Sequence, residues 1–528
     1  MSMNNIYYYP IKCPYCLKDN SNDTVLFNVD DLGTKCSNKL EECLPELKKG
    51  KRFYTYAELK ELLDKNTNSS YIIEFAKRPN SFKGIQNIAL QNKEYSDDML
   101  LTSISVEIVD NVTKLPFVSA HTLDRYCECK NKLVRNSGTI PSFMFTLLGS
   151  RNAGKTTYLL SLFQELSIKG KDVLIPGMEI TVNNLAIKEK NPSNIRTMAY
   201  ELFDEGILPI NTLASDNEPL ALEVQVKYMG VDVSNALLFF KDMPGEWFTN
   251  TGSENLDLMN NQFLKFNGYI VVFDPNCFET PLSTGETEVD EDSKKYISLL
   301  ADTIRNNIVM PRGEIRLKQP AVAIVTKCDA FYHVNNEGAI AAKNISYSTP
   351  PLALSTSTMN FQKVNKGVYC MLEQFSQSSI SLMDSNFDNH FYFMVSSFLK
   401  SGDVILEKVD HEKITTEEDG SGKKIEKKTT EVRTKIKNPE LLDPWNVTAP
   451  LLRLLMDAEI AVLPPFHTLD LWSVEDEERI KHKIRKKTLE NTAKYEKRLS
   501  GEIRKCKNGK QTVIQDAIND WRSKHGIF

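Results

Sequence analysis

The chain has 528 residues, 41% hydrophobic and 26% charged, close to globular averages, which excludes a collagen-like or wholly disordered polymer. Lys+Arg 65 against Asp+Glu 70 gives a formal charge of -5, so there is no chain-wide drive toward nucleic acid or anionic lipid. The apolar runs fall far short of the roughly 20 residues that span a bilayer, and the length is too great for one core.

The N-terminal Met1–Pro10 stretch has neither a basic n-region nor an apolar h-region, so a cytoplasmic address is expected. In a reducing compartment, ten cysteines favour metal binding or plain burial over a disulfide scaffold. Three segments are expected. Residues 1–140 form a cysteine-bearing module with a large insertion over 17–126. Residues 141–462 form an α/β domain, and 463–528 a charged helical tail.

Cys13-Pro-Tyr-Cys16 has the Cys-x-x-Cys spacing of a zinc knuckle, in which two thiolates of one tight turn meet one Zn²⁺. The second half is read as Cys127-Glu-Cys129. Cys36 and Cys43 share one helical face and are read as packing residues.

Phe143-Met-Phe-Thr-Leu-Leu148 predicts a buried strand running directly into Gly149-Ser150-Arg151-Asn152-Ala153-Gly154-Lys155-Thr156, with Thr157 opening a helix through Leu166. This is GxxxxGK[ST] in the strand-loop-helix context that the motif requires. The glycines let successive N–H groups turn inward around phosphate oxygens, and the helix N-terminus adds partial positive charge. Lys155 is expected on the β- and γ-phosphates, and the Thr156 hydroxyl on Mg²⁺. Arg151 is read first as a solvated loop arginine and second as a cis arginine for the phosphates.

Further on, Ala221–Tyr228, a Met229-Gly230 turn and Val231–Phe240 predict an antiparallel hairpin on the edge of a mostly parallel sheet, ending in Asp242-Met-Pro-Gly245. At this point the sequence resembles GTPases of the TRAFAC class, and a P-loop three-layer α/β sandwich is expected. The resemblance implies that Asp242 holds Mg²⁺ through water and that the Gly245 N–H meets the γ-phosphate; Asp242 also fits a generic strand-end Walker B acid. Thr212, ahead of the hairpin, is the candidate switch threonine for Mg²⁺, against its reading as an ordinary loop residue. Where Ras-like proteins carry a glutamine after DxxG, this chain has Glu246. It is either a water-orienting base or a solvent-facing residue, and slow intrinsic turnover is expected.

After a strand ending in Asp274, the strand-like run from Gln319 leads into Thr326-Lys327-Cys328-Asp329, which resembles the [NT]KxD guanine motif. A carboxylate at Asp329 can accept from guanine N1–H and the exocyclic amine, and Lys327 can lay its apolar stem on the base. Ser396 and Ser397, ending the strand from Phe391, stand where GTPases present a backbone N–H to guanine O6. Together these favour GTP/GDP over adenine nucleotides.

Lys408–Lys437 reads as an exposed hairpin or loop. Ile480–Lys510 carries twelve Lys/Arg against three Glu and reads as a surface helix or tail. Taken together, the cysteine pairs and the GTPase motifs resemble the zinc-ribbon-bearing double-GTPase (type 2) family of bacterial conflict systems. That resemblance implies a GTP-dependent switch in defence, antiviral defence included, with a protein effector. The family's second pair is usually Cys-x-x-Cys, so the shorter Cys127-x-Cys129 leaves distortion of the site, use of His121 or Cys36, or loss of the site open. Two other functions remain: a nucleotide-gated scaffold without turnover, and a nucleic-acid sensor using the zinc module and the basic tail.

Overall fold

The computed structural model describes residues 10–21, 23–44, 46–47, 51–65, 71–78, 103–134, 137–138, 140–150, 152–168, 178–184, 195–209, 219–228, 231–243, 263–280, 291–307, 316–328, 332–334, 340–342, 361–397, 406–418, 424–439, 442, 444 and 446–457. The expectations for Arg151, Thr212, Gly245, Glu246, Asp329 and the 463–528 tail fall outside these residues.

Short hairpins and helices build the N-terminal part: β1 (Ile11–Lys12), β2 (Asp19–Asn20), β3 (Leu26–Asn28), α1 (Thr34–Cys43), β4 (Phe53–Thr55), α2 (Tyr56–Asp64), β5 (Tyr71–Arg78), β6 (Ser103–Asp110), β7 (Pro116–Leu123) and β8 (Arg125–Tyr126). Helix α2 starts at a capping box, in which Thr55 Oγ1 accepts from the Glu58 N–H and Glu58 accepts from the Thr55 N–H. Two three-stranded sheets, β4-β3-β8 and β5-β6-β7, occupy the expected insertion. Their core includes Phe27, Leu40, Leu59, Ile104 and Leu123 together with Cys13 and Cys127.

The second architecture begins at β9 (Ser142–Gly149) and continues through α3 (Lys155–Ile168), β10 (Met178–Asn184), α4 (Ile195–Phe203), β11 (Leu220–Tyr228), β12 (Val231–Asp242), β13 (Gly268–Phe273), α5 (Glu291–Asn307), β14 (Ala321–Val325), β15 (Tyr332–Val334), β16 (Ile340–Ala342), α6 (Phe361–Phe375), α7 (Gln377–Asn386), β17 (His390–Met394), β18 (Leu406–Glu418), β19 (Lys424–Ile436) and α8 (Thr448–Asp457). It is a mixed α/β arrangement on a seven-stranded sheet of order β10-β11-β12-β9-β13-β14-β17. Every residue of β13 and β14 is buried, as expected for central parallel strands covered on both faces. The run β12-β9-β13-β14-β17 is parallel throughout. At its edge β11 pairs antiparallel with β12, and β10 antiparallel with β11. Only β11 therefore runs against the rest of the sheet, as the sequence suggested; β10, antiparallel to β11, runs again in the direction of the parallel strands and forms the edge. The residues of β10, Met178-Glu-Ile-Thr-Val-Asn-Asn184, alternate apolar and polar as a half-buried strand does, and seven pairings to β11 fix their place in the sheet.

The Lys408–Lys437 segment is a hairpin: β18 and β19 pair over thirteen residues each. Its base is rooted beyond α4, where the Leu208 N–H donates to Thr434 O at 3.0 Å and the Ile436 N–H to Gly206 O at 2.7 Å. Arg433 pairs with Glu201 at 3.0 Å. Gly206 has φ +76°, and a Cβ there would sit 2.3 Å from Ile436 O. Gly206→Ala is therefore expected to lower the unfolding free energy by about 2 kcal/mol or more, measurable by chemical denaturation, because both the backbone conformation and the space exclude a methyl.

Candidate nucleotide and metal sites

Strand β9 delivers the chain into the loop between its end and α3, and the geometry there follows from a few atoms. Asn152 and Gly154 adopt φ +61° and +87°, left-handed positions that turn the loop back on itself; asparagine tolerates this conformation and glycine favours it. Lys155 is only 8% exposed, and its Nζ donates to Gly149 O at 2.9 Å and Ser150 O at 3.0 Å. The ammonium thus lies inside the loop, 3.9 Å from Asp242 Oδ1. Thr156 Oγ1 donates to Asp242 Oδ2 at 3.3 Å. A lysine and a hydroxyl from the first turn of α3 and a carboxylate from the end of β12 converge in one place. That donor set fits an oxyanion with a hard divalent cation beside it.

The other expected residues are placed as follows. Ser150 and Ala153 are buried, Asn152 is exposed, and Thr157 is half-buried, its carbonyl accepting from Ser161 Oγ. Thr326 lies 4% exposed at the end of β14, and its hydroxyl donates to Ala153 O at 2.6 Å, fastening the TKxD segment to the loop. Lys327 takes φ +55° and its Nζ donates to Asp274 Oδ2 at 2.5 Å. Ser396 is buried, and Ser397 Oγ lies 2.6 Å from Ser161 Oγ on α3.

Two site neighbours escape sequence reasoning. Asp274 shows in the sequence only as the last residue of a strand. Tyr296 on α5 is buried, with its phenol pushed well up by burial and in hydrogen-bond reach of the Gly149 backbone. Nothing in the local sequence of α5 marks that tyrosine, since its neighbours at the loop come from β9 and β12.

The four cysteines Cys13, Cys16, Cys127 and Cys129 come together, with all sulfurs within 4.8 Å of one another. Cys13 Sγ and Cys129 Sγ are 3.6 Å apart, and Cys16 Sγ and Cys127 Sγ 3.5 Å. A tetrahedral Zn²⁺ with bonds of about 2.3 Å spaces its sulfurs by about 3.8 Å, so the four thiols fit such an ion. The shorter Cys-x-Cys spacing is absorbed by a tighter turn. In the first knuckle the Leu17 N–H donates to Cys13 O, four residues back, while in the second the Lys130 N–H donates to Cys127 O, three back. Leu17 and Lys130, at φ +59° and +62°, end the two turns. Asn131 Nδ2 donates to Cys129 Sγ at 3.4 Å, and Lys18 pairs with Glu128 across the two knuckles at 3.2 Å. The side chains of His121 and Cys36 lie outside the described residues.

Crowding of the thiols splits their acidities. Hydrogen bonds from Cys127 and then Cys13 pull Cys16 down to about 2, while bonding to Cys127 and Cys16, with burial, drives Cys13 far up. Cys127 is pulled down by Cys13, but Cys16 and burial outweigh this and leave it at about 11. Only a cation lets all four be thiolates together.

The cysteine centre abuts the sheet. Leu17 packs in the sheet's core and Tyr15 touches both cores. Lys12 Nζ reaches Asn267 Oδ1 at 3.5 Å, and that oxygen also accepts from the Met144 N–H of β9. Lys241, one residue before Asp242 on β12, is buried; desolvation lowers its pKa and the nearby Cys13 and Cys16 partly offset that. Among the described residues no helix is long and apolar enough to cross a membrane.

No model of a known protein family matches the chain, and no curated protein matches it. Among solved structures, the S. cerevisiae Ski7 GTPase-like domain bound to GTP is similar, with 14% identity over 48% of this chain and 43% of that one at a TM-score of 0.21. The same domain bound to GDP and inorganic phosphate gives 13% identity, the same coverage and a TM-score of 0.21. The chain spans less than half the length of these structures, and at such a TM-score the likeness carries no weight in reading the site.

Proposed function

We propose that the chain binds a guanine nucleoside triphosphate with Mg²⁺ at the 149–156 loop, hydrolyses it slowly, and works as a molecular switch. The observation that carries this reading is the convergence of Lys155, Thr156 and Asp242 around a loop with two left-handed residues at the start of α3. Lys155 would neutralise phosphate charge, and the Thr156 hydroxyl and Asp242 would hold Mg²⁺, which supplies charge neutralisation at the phosphate oxygens. Thr326 ties the base-reading segment to the phosphate-reading loop, so the two ends of one nucleotide are held in register. Preference for guanine is expected from Asp329, and slow turnover from Glu246 at the sequence position where Ras-like proteins carry a glutamine.

The four-cysteine centre is proposed to hold one Zn²⁺ as a structural ion, since all four positions are filled by thiols and none is left open for chemistry. A TRAFAC-class switch with a zinc-ribbon module, acting in a cytoplasmic defence response through a protein effector, is the biological setting that the motifs suggest. Expected domain limits are 1–140, 141–462 and 463–528.

Calorimetry of the full chain with Mg²⁺ and GTP, GDP, ATP or ADP tests the reading. Guanine nucleotides are expected to bind at least about 100-fold more tightly than adenine nucleotides, because an adenine leaves the Asp329 carboxylate unpaired. Heat with neither class would overturn the proposal. Tight GTP binding without phosphate release, partners included, would select the scaffold reading in place of a hydrolase.

A further inference from the structure

Thr326-Lys327 leaves β14 beside the end of β13, and the side chains there form a small closed network. Thr326 Oγ1 donates to Ala153 O, and its N–H donates to Phe273 O at 3.1 Å. One residue on from Phe273, Asp274 is 6% exposed. Its two carboxylate oxygens are used separately: Oδ1 accepts from the Asn276 N–H at 3.0 Å, and Oδ2 from Lys327 Nζ at 2.5 Å. Lys327 holds a left-handed backbone, uncommon for a residue with a side chain, and such a conformation persists only where its surroundings over-determine it. Its side chain is 38% exposed, with the ammonium anchored on Asp274.

We propose that Asp274 is a positioning residue for the nucleotide base: it pins the Lys327 ammonium so that the lysine's apolar stem is held as a preformed shelf for the purine face. This rests on the guanine-nucleotide reading of the site. An untethered lysine would sample many rotamers and lose that freedom on each binding event, whereas the buried carboxylate removes that loss in advance. The same carboxylate caps the turn at Pro275–Cys277, which fixes its own rotamer.

Dissociation of a fluorescent GDP analogue from the full chain, followed by chase with unlabelled GDP, tests the idea. Asp274→Asn keeps the size and the acceptor for the Asn276 N–H but removes the charge facing Lys327. It is expected to speed dissociation about tenfold, the usual loss for one charge-assisted hydrogen bond. Lys327→Ala should have a similar effect, and the double variant should be no faster than the worse single one, because both remove the same element. Unchanged dissociation in Asp274→Asn, or full additivity in the double variant, would overturn the proposal. A shift in thermal midpoint without a change in dissociation would reduce Asp274 to a structural turn residue. Failure of the wild-type chain to bind the analogue would instead bring down the nucleotide reading itself.

Discussion

Lys155→Ala is expected to weaken binding of guanosine triphosphate about 100-fold and to abolish phosphate release above background. In the structure the ammonium is already desolvated and held by two loop carbonyls, Gly149 O and Ser150 O. Its place is thus set before a ligand arrives, and little reorganisation is needed when phosphate oxygens replace those acceptors. Two charge-assisted contacts to phosphate, at about 1.5 kcal/mol or more each, account for a loss of that size. Titration with a fluorescent GTP analogue and radiolabelled turnover measure it. Thermal stability is expected to fall as well, because two buried carbonyls lose their donor, so binding and turnover are compared where both proteins are folded. Equal turnover in the variant and the wild type would remove catalysis from this site.

Removing the metal from the four-cysteine centre is expected to have the larger structural effect. Cys13 and Cys127 belong to the core that joins β1 to β8, so the sulfurs and the apolar side chains of that module are one packing unit. Structural Zn²⁺ contributes on the order of 10 kcal/mol to small domains, more than a core of this size can lose. Chelation, or Cys16→Ser, is expected to bring zinc from one per chain to none by mass spectrometry and to speed amide exchange across 11–133. Exchange in β9, β13 and β14 should change far less, since those strands are buried in a separate core. The pH dependence has a definite sign. Cys13 and Cys127 are both raised and therefore protonated near neutrality without metal, so loading must expel at least their two protons. Affinity is then expected to fall as the pH is lowered, and calorimetry in buffers of different ionisation enthalpy should register the released protons. A centre that stays metal-free when purified and reconstituted under reducing conditions would reduce it to buried thiols.

Much of the sheet was legible because its central strands are covered on both faces, so each appears as an unbroken apolar run flanked by turn residues. The loop before α3 was legible for a different reason: its chemistry is carried by consecutive residues, and spacing along the chain is spacing in space. The alternation of Met178–Asn183 marks β10 as a strand, but its place beside β11 was hidden, since that is set by pairing between separate segments of the chain. The base of the β18–β19 hairpin was also hidden, because Gly206 and Ile436 are 230 positions apart and meet only through backbone hydrogen bonds.

The amino-acid sequence by itself determined which groups are available: a lysine and a threonine after a glycine-rich loop, an aspartate ending the next parallel strand, and two cysteine pairs. Each is a local pattern, written by residue type and spacing. The tertiary structure alone decided which of these groups meet. It closed the Cys127-x-Cys129 half onto Cys13 and Cys16 by shortening one turn, fastened Thr326 to the loop before α3, and gave Lys327 a buried carboxylate at Asp274. The physical reason is that hydrogen bonds and ion pairs depend on distances of about 3 Å between residues far apart in sequence. Those distances are set by how the sheet packs and do not follow from the order of residues along any one strand.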